Sequence, residues 1–230
     1  SRREEFAVKI TKKVLSVVWL VLILAFIYIP ILLLAVYSFT DATMVGGAVK
    51  GFSFQNYITL FENEELRSMI GGTVALALGS ALIAAVLGTL GAIGTFYSKR
   101  TAKHLINYAN QIPVVNADIV TGFSICVLLI VLLGISKDTF VPLVIGHVVL
   151  CAPFVYLSVM PRLKQMDNNL YEAALDLGAT PAQALFKVVI PQLLPGILSG
   201  FMLAVTLSLD DYFITTYTKP STFDTISTYV

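Results

Sequence analysis

Charge is what this sequence has least of. Asp, Glu, Lys and Arg make up 13% of its 230 residues, about half the share of an ordinary soluble domain. Histidine and cysteine are scarce too, at two each. Cys126 and Cys151 both lie in apolar runs, too few for a disulfide framework or a metal quartet, and read as small buried hydrophobes. Motifs of covalent chemistry are missing as well. No Gly-Lys pair occurs anywhere, so no nucleotide phosphate loop exists, and His-Glu-x-x-His and Gly-x-Ser-x-Gly are absent. A formal net charge of +1 gives no overall attraction to nucleic acid. The expectation is a chain with no catalytic residues, no metal site and no cofactor of its own.

What is present is apolar surface. Hydrophobic residues reach 57% and mean hydropathy is +0.85, an excess that a soluble fold has nowhere to bury. Crossing a bilayer takes about 20 mostly apolar residues in a helix, because backbone groups in lipid must bond within the segment. Five runs qualify: residues 14–39, 69–98, 119–136 (short, and extended back toward Pro113), 139–161, and 188–209 continuing past Asp210 and Asp211 to about Tyr217. The first is too long for a signal-peptide core. The expected fold is an all-α bundle of membrane helices forming one domain over residues 1–230.

The few cations are unevenly placed. With the N-terminus inside, 11 of the 15 Lys and Arg residues fall on the inner side; Lys50, Arg67, Lys137 and Lys219 fall outside. The positive-inside rule then makes the N-terminus and residues 99–103 and 162–187 cytoplasmic, and residues 41–67 external. In the second run Ala77, Ala81 and Ala85, and Ala84, Gly88 and Ala92, recur every four residues. This spacing lets helix backbones approach closely, within the chain or against a partner. His147 lies inside the fourth run, where a neutral imidazole bonding a neighbouring helix is the simpler reading and a functional one the alternative. His104 is read as solvated.

The loop at 161–187 carries more structure than a connection needs. Asn169 and Glu172 have capping-box spacing, and Gly178 suits a left-handed helix end. Thr180, Pro181 and Gln183 signal a second helix start at once. Two ordered helices on a cytoplasmic face suggest a docking surface. The loop resembles the signature of ABC importer permeases. Glu172-Ala173-Ala174 is followed by three residues and Gly178, and then, nine residues on, by Val188-Val189-Ile190-Pro191. The resemblance implies a type I ABC importer permease, with Glu172, Ala173, Ala174 and Gly178 in the coupling element that docks on an ATP-hydrolysing subunit. ATP and Mg are then expected in that partner, not here. Such permeases usually have six spans, so five visible spans imply an expected sixth.

A second group, Ser208-Leu209-Asp210-Asp211-Tyr212-Phe213, resembles a motif in the second permease subunit of spermidine/putrescine importers. It implies a polyamine pathway using Asp210, Asp211 and Tyr212. Expected partners are a dimer of ATP-binding subunits, a second permease, an extracytoplasmic substrate-binding protein and the lipid of a bacterial inner membrane, and no nucleic acid. A permease for another small solute is the alternative. An ion-driven secondary transporter is less favoured, since it calls for broken helices and more mid-membrane charge. Asp210 lies 19 residues beyond Pro191, roughly 28 Å at about 1.5 Å per residue, close to the outer edge of the hydrocarbon core. Adjacent helical positions point about 100° apart, so one acid is expected to line the path while the other pairs or caps.

Overall fold

The computed structural model describes residues 2–42, 47, 51–167 and 169–229. Lys50, counted above on the outer side, lies outside them. The chain divides into two compact units, Ser1–Arg67 and Ser68–Val230. The first holds α1 (Arg2–Ser38), apolar on every side over residues 14–36, and α2 (Gln55–Glu62). The loop beyond α1 is gathered by rings: Phe39 lies 5.2 Å from Tyr57, and Phe52 meets Phe54 edge-on at 5.0 Å. The one β pairing among the described residues is the bridge between Thr40 and Phe52.

Every regular element among the described residues of the second unit is a helix. It contains most of α3 (Glu64–Phe96), then α4 (Arg100–Val115) and α5 (Asp118–Cys126), which runs on in wide π-helical turns over Val127–Leu132. After α6 (Val141–Gln165) come α7 (Asn169–Asp176), α8 (Pro181–Ala184) and a π-helical stretch, Leu185–Val189. The last three are α9 (Ile190–Asp210), α10 (Phe213–Thr218) and α11 (Ile226–Tyr229).

The centre of this unit is α6 against α9, brought together by glycines four residues apart. A Cβ on Gly200 would lie 2.9 Å from the Val155 Cα, and one on Gly196 would lie 3.0 Å from the Ser158 carbonyl oxygen. Only a missing side chain lets the backbones approach this far. The Cys151 thiol adds a weak bond to the Ala204 carbonyl at 3.3 Å. The small stripe of α3 packs on the same core: Ala77, Ala81, Ala84 and Ala92 are fully buried, and a Cβ on Gly88 would meet Ala152 O at 2.8 Å. Of the two readings of that stripe, packing within the chain is the one observed.

Several boundaries differ from the sequence expectation. Four helices are long and apolar enough to cross a membrane, or five if one bent pair counts as a span. That pair is the third run: Arg100–Val115 and Asp118–Leu132 meet at 107°. The polar Asn107, Asn110 and Gln111 keep α4 from extending the apolar run, and Asn116 and Ala117 adopt extended backbone between the two pieces. The fourth span continues beyond Pro161 to Gln165. The fifth starts at Pro181, not Val188, because the predicted second short helix runs directly into it. Pro191 supplies no N–H and its ring crowds the carbonyl four residues back, so the chain widens over Leu185–Val189. The predicted continuation to Tyr217 is broken after Asp210. Asn169 is the first residue of α7, not its cap; its N–H is accepted by the Asp167 carboxylate at 3.0 Å. Cys126 is only partly buried, whereas Cys151 is fully so.

Candidate functional site

Two adjacent carboxylates inside an apolar helix cannot both be tolerated by lipid, and the backbone divides them. α9 ends at Asp210, Asp211 takes extended backbone (φ −69°, ψ 124°), and the chain restarts as α10. Asp211 is 7% exposed and spends its carboxylate on the restart. One oxygen accepts the Ile214 N–H at 3.3 Å; the other accepts the Thr215 N–H at 2.8 Å and the Thr215 hydroxyl at 2.9 Å. This satisfies donors that a helix start leaves unpaired, and it competes with continued helix. α10 is held in place by Ile214, which fills space left by two glycines. A Cβ on Gly146 of α6 would lie 2.6 Å from its Cγ2, and one on Gly122 of α5 would lie 3.1 Å from its Cα.

His147 is fully buried against this break. Its Nδ1 donates to the Leu143 carbonyl at 2.9 Å; its Nε2 lies 3.4 Å from the Thr215 hydroxyl and 3.8 Å from the Asp211 carboxylate. Ser80 of α3 and Ser208 of α9 share a hydrogen bond at 3.2 Å one turn below.

Asp210 behaves differently. It is exposed and makes no hydrogen bond or ion pair among the described residues. It opens on a cavity of about 260 Å³ lined also by Asp118, Leu150, Phe154, Thr206, Leu207 and Asp211. Asp118, the first residue of α5, went unnoticed in the sequence; the available signal was a lone carboxylate where an apolar run begins. The second break, between α4 and α5, brings it to the first. The cavity also sits at the C-terminal end of α9, whose last carbonyls carry partial negative charge. All three features favour a cation. Leu150 and Phe154 belong to the middle third of α6, so the cavity lies level with the middle of that helix, while α9 runs unbroken from Ile190 to Asp210. Tyr212 is not part of the lining; it is half exposed and packs edge-on against Phe213 at 5.4 Å. Tyr217 meets Phe123 at 5.9 Å. Among the described residues no group of His, Cys, Asp or Glu is arranged to hold a metal.

At the other end of the bundle α7 stands out from the core. Gly178 has φ +86°, the Ala179 N–H bonds the Ala174 carbonyl at 3.0 Å, and the Gly178 N–H bonds Leu175 O at 2.9 Å. These are the paired bonds of a Schellman helix end. Thr180 and Gln183 form the expected reciprocal capping box. α7 is anchored by Tyr171, whose ring lies 5.6 Å from that of Tyr97, while Glu172 and Ala173 are exposed. Ala174 is partly buried. Leu177, not singled out in the sequence, is 90% exposed, an apolar knob at the tip of the loop.

Residues 6–226 match the family described as binding-protein-dependent transport system inner membrane component. The chain belongs to that family. Among its relatives, the putrescine transport system permease protein PotI of Escherichia coli K12 is 33% identical over 210 residues, 87% of this chain and 73% of the relative. The spermidine/putrescine transport system permease protein PotC of Haemophilus influenzae is 34% identical over 200 residues, 87% of this chain and 77% of its own length. A PotC homolog of Mycoplasma pneumoniae is 25% identical over 228 residues. This is therefore an ABC importer permease subunit, a transport component and not an enzyme, with the helical fold of that family. Broken helices, expected above of an ion-driven carrier, occur in this permease at Asp118 and after Asp210; family membership decides between the two readings.

Proposed function

We propose that this permease forms half of an import pathway for a polyamine, and that Asp118 and Asp210 are its cation ligands. The observation that carries the reading is the cavity at the two helix breaks, with two carboxylates that no group among the described residues neutralises and one that is fully occupied internally. A linear polyamine carries ammonium groups joined by apolar methylenes, which match a lining of carboxylates together with Leu150 and Phe154. The relatives named for putrescine and spermidine support the same substrate class. Asp211 is the structural member of the pair, and Tyr212 has no place in the pathway on this reading.

Glu172, Ala173, Ala174 and Gly178 form the contact with one of two ATP-binding subunits, with Leu177 as the apolar anchor. A second permease completes the pathway, and a substrate-binding protein delivers the polyamine from outside. The N-terminus and α7 face the cytoplasm, in keeping with the distribution of Lys and Arg. ATP and Mg belong to the partner. ATP-driven closure of the ATP-binding subunits moves α7 and, through Tyr171 and the α6–α9 pair, alternates access to the cavity.

The test is uptake of labelled putrescine and spermidine by the reconstituted complex carrying Asp118→Asn or Asp210→Asn. Each change removes one charged partner of an ammonium and should raise KM or cut uptake about 10- to 100-fold, with assembly intact. Parental uptake by both variants would refute the cation role.

A further inference from the structure

The cluster behind the cavity contains a buried imidazole that the transport reading leaves unused, and its hydrogen bonds can be counted. The Leu143 carbonyl only accepts, so His147 Nδ1 carries a proton. If the ring is neutral, Nε2 is a bare lone pair. The one donor within reach is the Thr215 hydroxyl at 3.4 Å, yet that hydroxyl lies nearer the Asp211 carboxylate, at 2.9 Å. Thr215 has a single proton and three acceptors, since the Asp211 backbone carbonyl also lies 3.3 Å from its oxygen. If Nε2 also carries a proton, the line from Nε2–H to the Thr215 oxygen, and from the Thr215 hydroxyl to the Asp211 carboxylate, is complete, and the buried carboxylate gains a compensating charge. The atoms therefore form a relay that is one proton short when the imidazole is neutral and complete when it is charged.

The relay joins two elements. His147 is on α6, which lines the cavity through Leu150 and Phe154; Asp211 and Thr215 form the restart after the break. The Asp211 backbone carbonyl is also taken, by the Ser227 hydroxyl at 2.6 Å. Asp210 is the residue immediately before this fixed point. It closes α9 and opens on the cavity, so the way α9 ends there is tied to where Asp211 is held. The titratable groups around His147 are Asp211 on the break and Cys151 one turn along its own helix, with Asp118 and Asp210 on the cavity that Asp211 borders. Among the described residues no Lys or Arg pairs with Asp211, leaving His147 as its one basic neighbour.

We propose that His147 is a positioning residue for transport: through the Thr215 hydroxyl it holds Asp211, and thereby sets Asp210 on the substrate path in a manner that depends on the protonation of the imidazole. The inference rests on Asp210 being a substrate ligand.

The test is labelled putrescine uptake by the complex in proteoliposomes, with KM and maximal rate followed from pH 5.5 to 8.5 in steps of about half a unit. The variants are His147→Gln, which keeps a donor and an acceptor but does not titrate, His147→Leu, which keeps neither, and Thr215→Val, which cuts the relay and leaves the ring. Parental uptake is expected to show a limb in which KM rises as the imidazole loses its proton. His147→Gln should show a KM close to the parent's at neutral pH with that limb gone. His147→Leu and Thr215→Val should raise KM about tenfold, the effect of one hydrogen bond to a buried charge, with maximal rate and assembly little changed. A His147→Gln profile that keeps the parental limb overturns the proposal, whether or not His147→Leu assembles. So does a parental KM in Thr215→Val. Asp210→Asn separates the two ideas: if it transports normally, the cation-ligand reading fails first; if it is impaired while the His147 and Thr215 variants are not, only the positioning role fails.

Discussion

Replacing Asp211 tests whether the two neighbouring acids do different work. In Asp211→Ala the Ile214 and Thr215 N–H groups lose their acceptor in a buried site, the Thr215 hydroxyl loses its nearest acceptor, and His147 loses its acidic neighbour. A lost cap alone costs about 0.5–2 kcal/mol. Each of the two buried N–H groups left unpaired adds about 1–3 kcal/mol. These figures overlap, since they count the same bonds. The expected loss is therefore about 2–6 kcal/mol, concentrated in α10. Asp211→Asn keeps one oxygen for Thr215 but turns an amide N–H₂ toward the Ile214 N–H, a clash of donors costing about 1–2 kcal/mol. Asp210 has no partner to lose among the described residues, so Asp210→Asn should change stability by no more than about 0.5 kcal/mol while impairing uptake. The assay is thermal unfolding of the purified complex beside uptake of labelled polyamine. The order of stability should be parent, equal to Asp210→Asn, then Asp211→Asn, then Asp211→Ala. If Asp211→Ala unfolds with the parent while losing uptake as Asp210→Asn does, Asp211 is a substrate ligand and the capping argument is wrong.

Gly178→Val places a β-branched residue at φ +86°, at a cost of roughly 1–2 kcal/mol or more. No atom crowds that position, so the effect should appear as weakened attachment of the ATP-binding subunit or uncoupled hydrolysis, with no general unfolding. Glu172→Gln in the same assay should reduce coupling, because the carboxylate is exposed and free for a partner; intact coupling would assign Glu172 to the helix alone. Cysteine residues placed at Lys99 and Lys164 should react with an impermeant thiol reagent only in inside-out membranes, and reaction in intact cells would reverse the orientation.

The sequence alone determined the class of this protein and its signature loop, because both are local. A long run of apolar residues has one stable environment, and a Gly at a helix end or a Thr-Pro-x-Gln start acts through bonds spanning a few residues. The Schellman end at Gly178 and the capping box at Thr180 stand where the residues put them. The small-residue stripe on α3 was legible as a close-approach face, but not its partner, since α6 is some sixty residues away. Tertiary structure decided the rest. Helix rise along α9 gives the distance of Asp210 from Pro191 but not its neighbours; packing set it level with the middle of α6 and beside Asp118. Nothing local marks Asp118 as its companion, because their meeting depends on the turn after α4 and on Ile214 seating between Gly122 and Gly146. The division of labour between Asp210 and Asp211 was anticipated only as a geometric necessity. Both acids border the cavity, and which of them is left unoccupied was settled by the buried donors of α10, for a carboxylate goes where unpaired N–H groups are most expensive to leave.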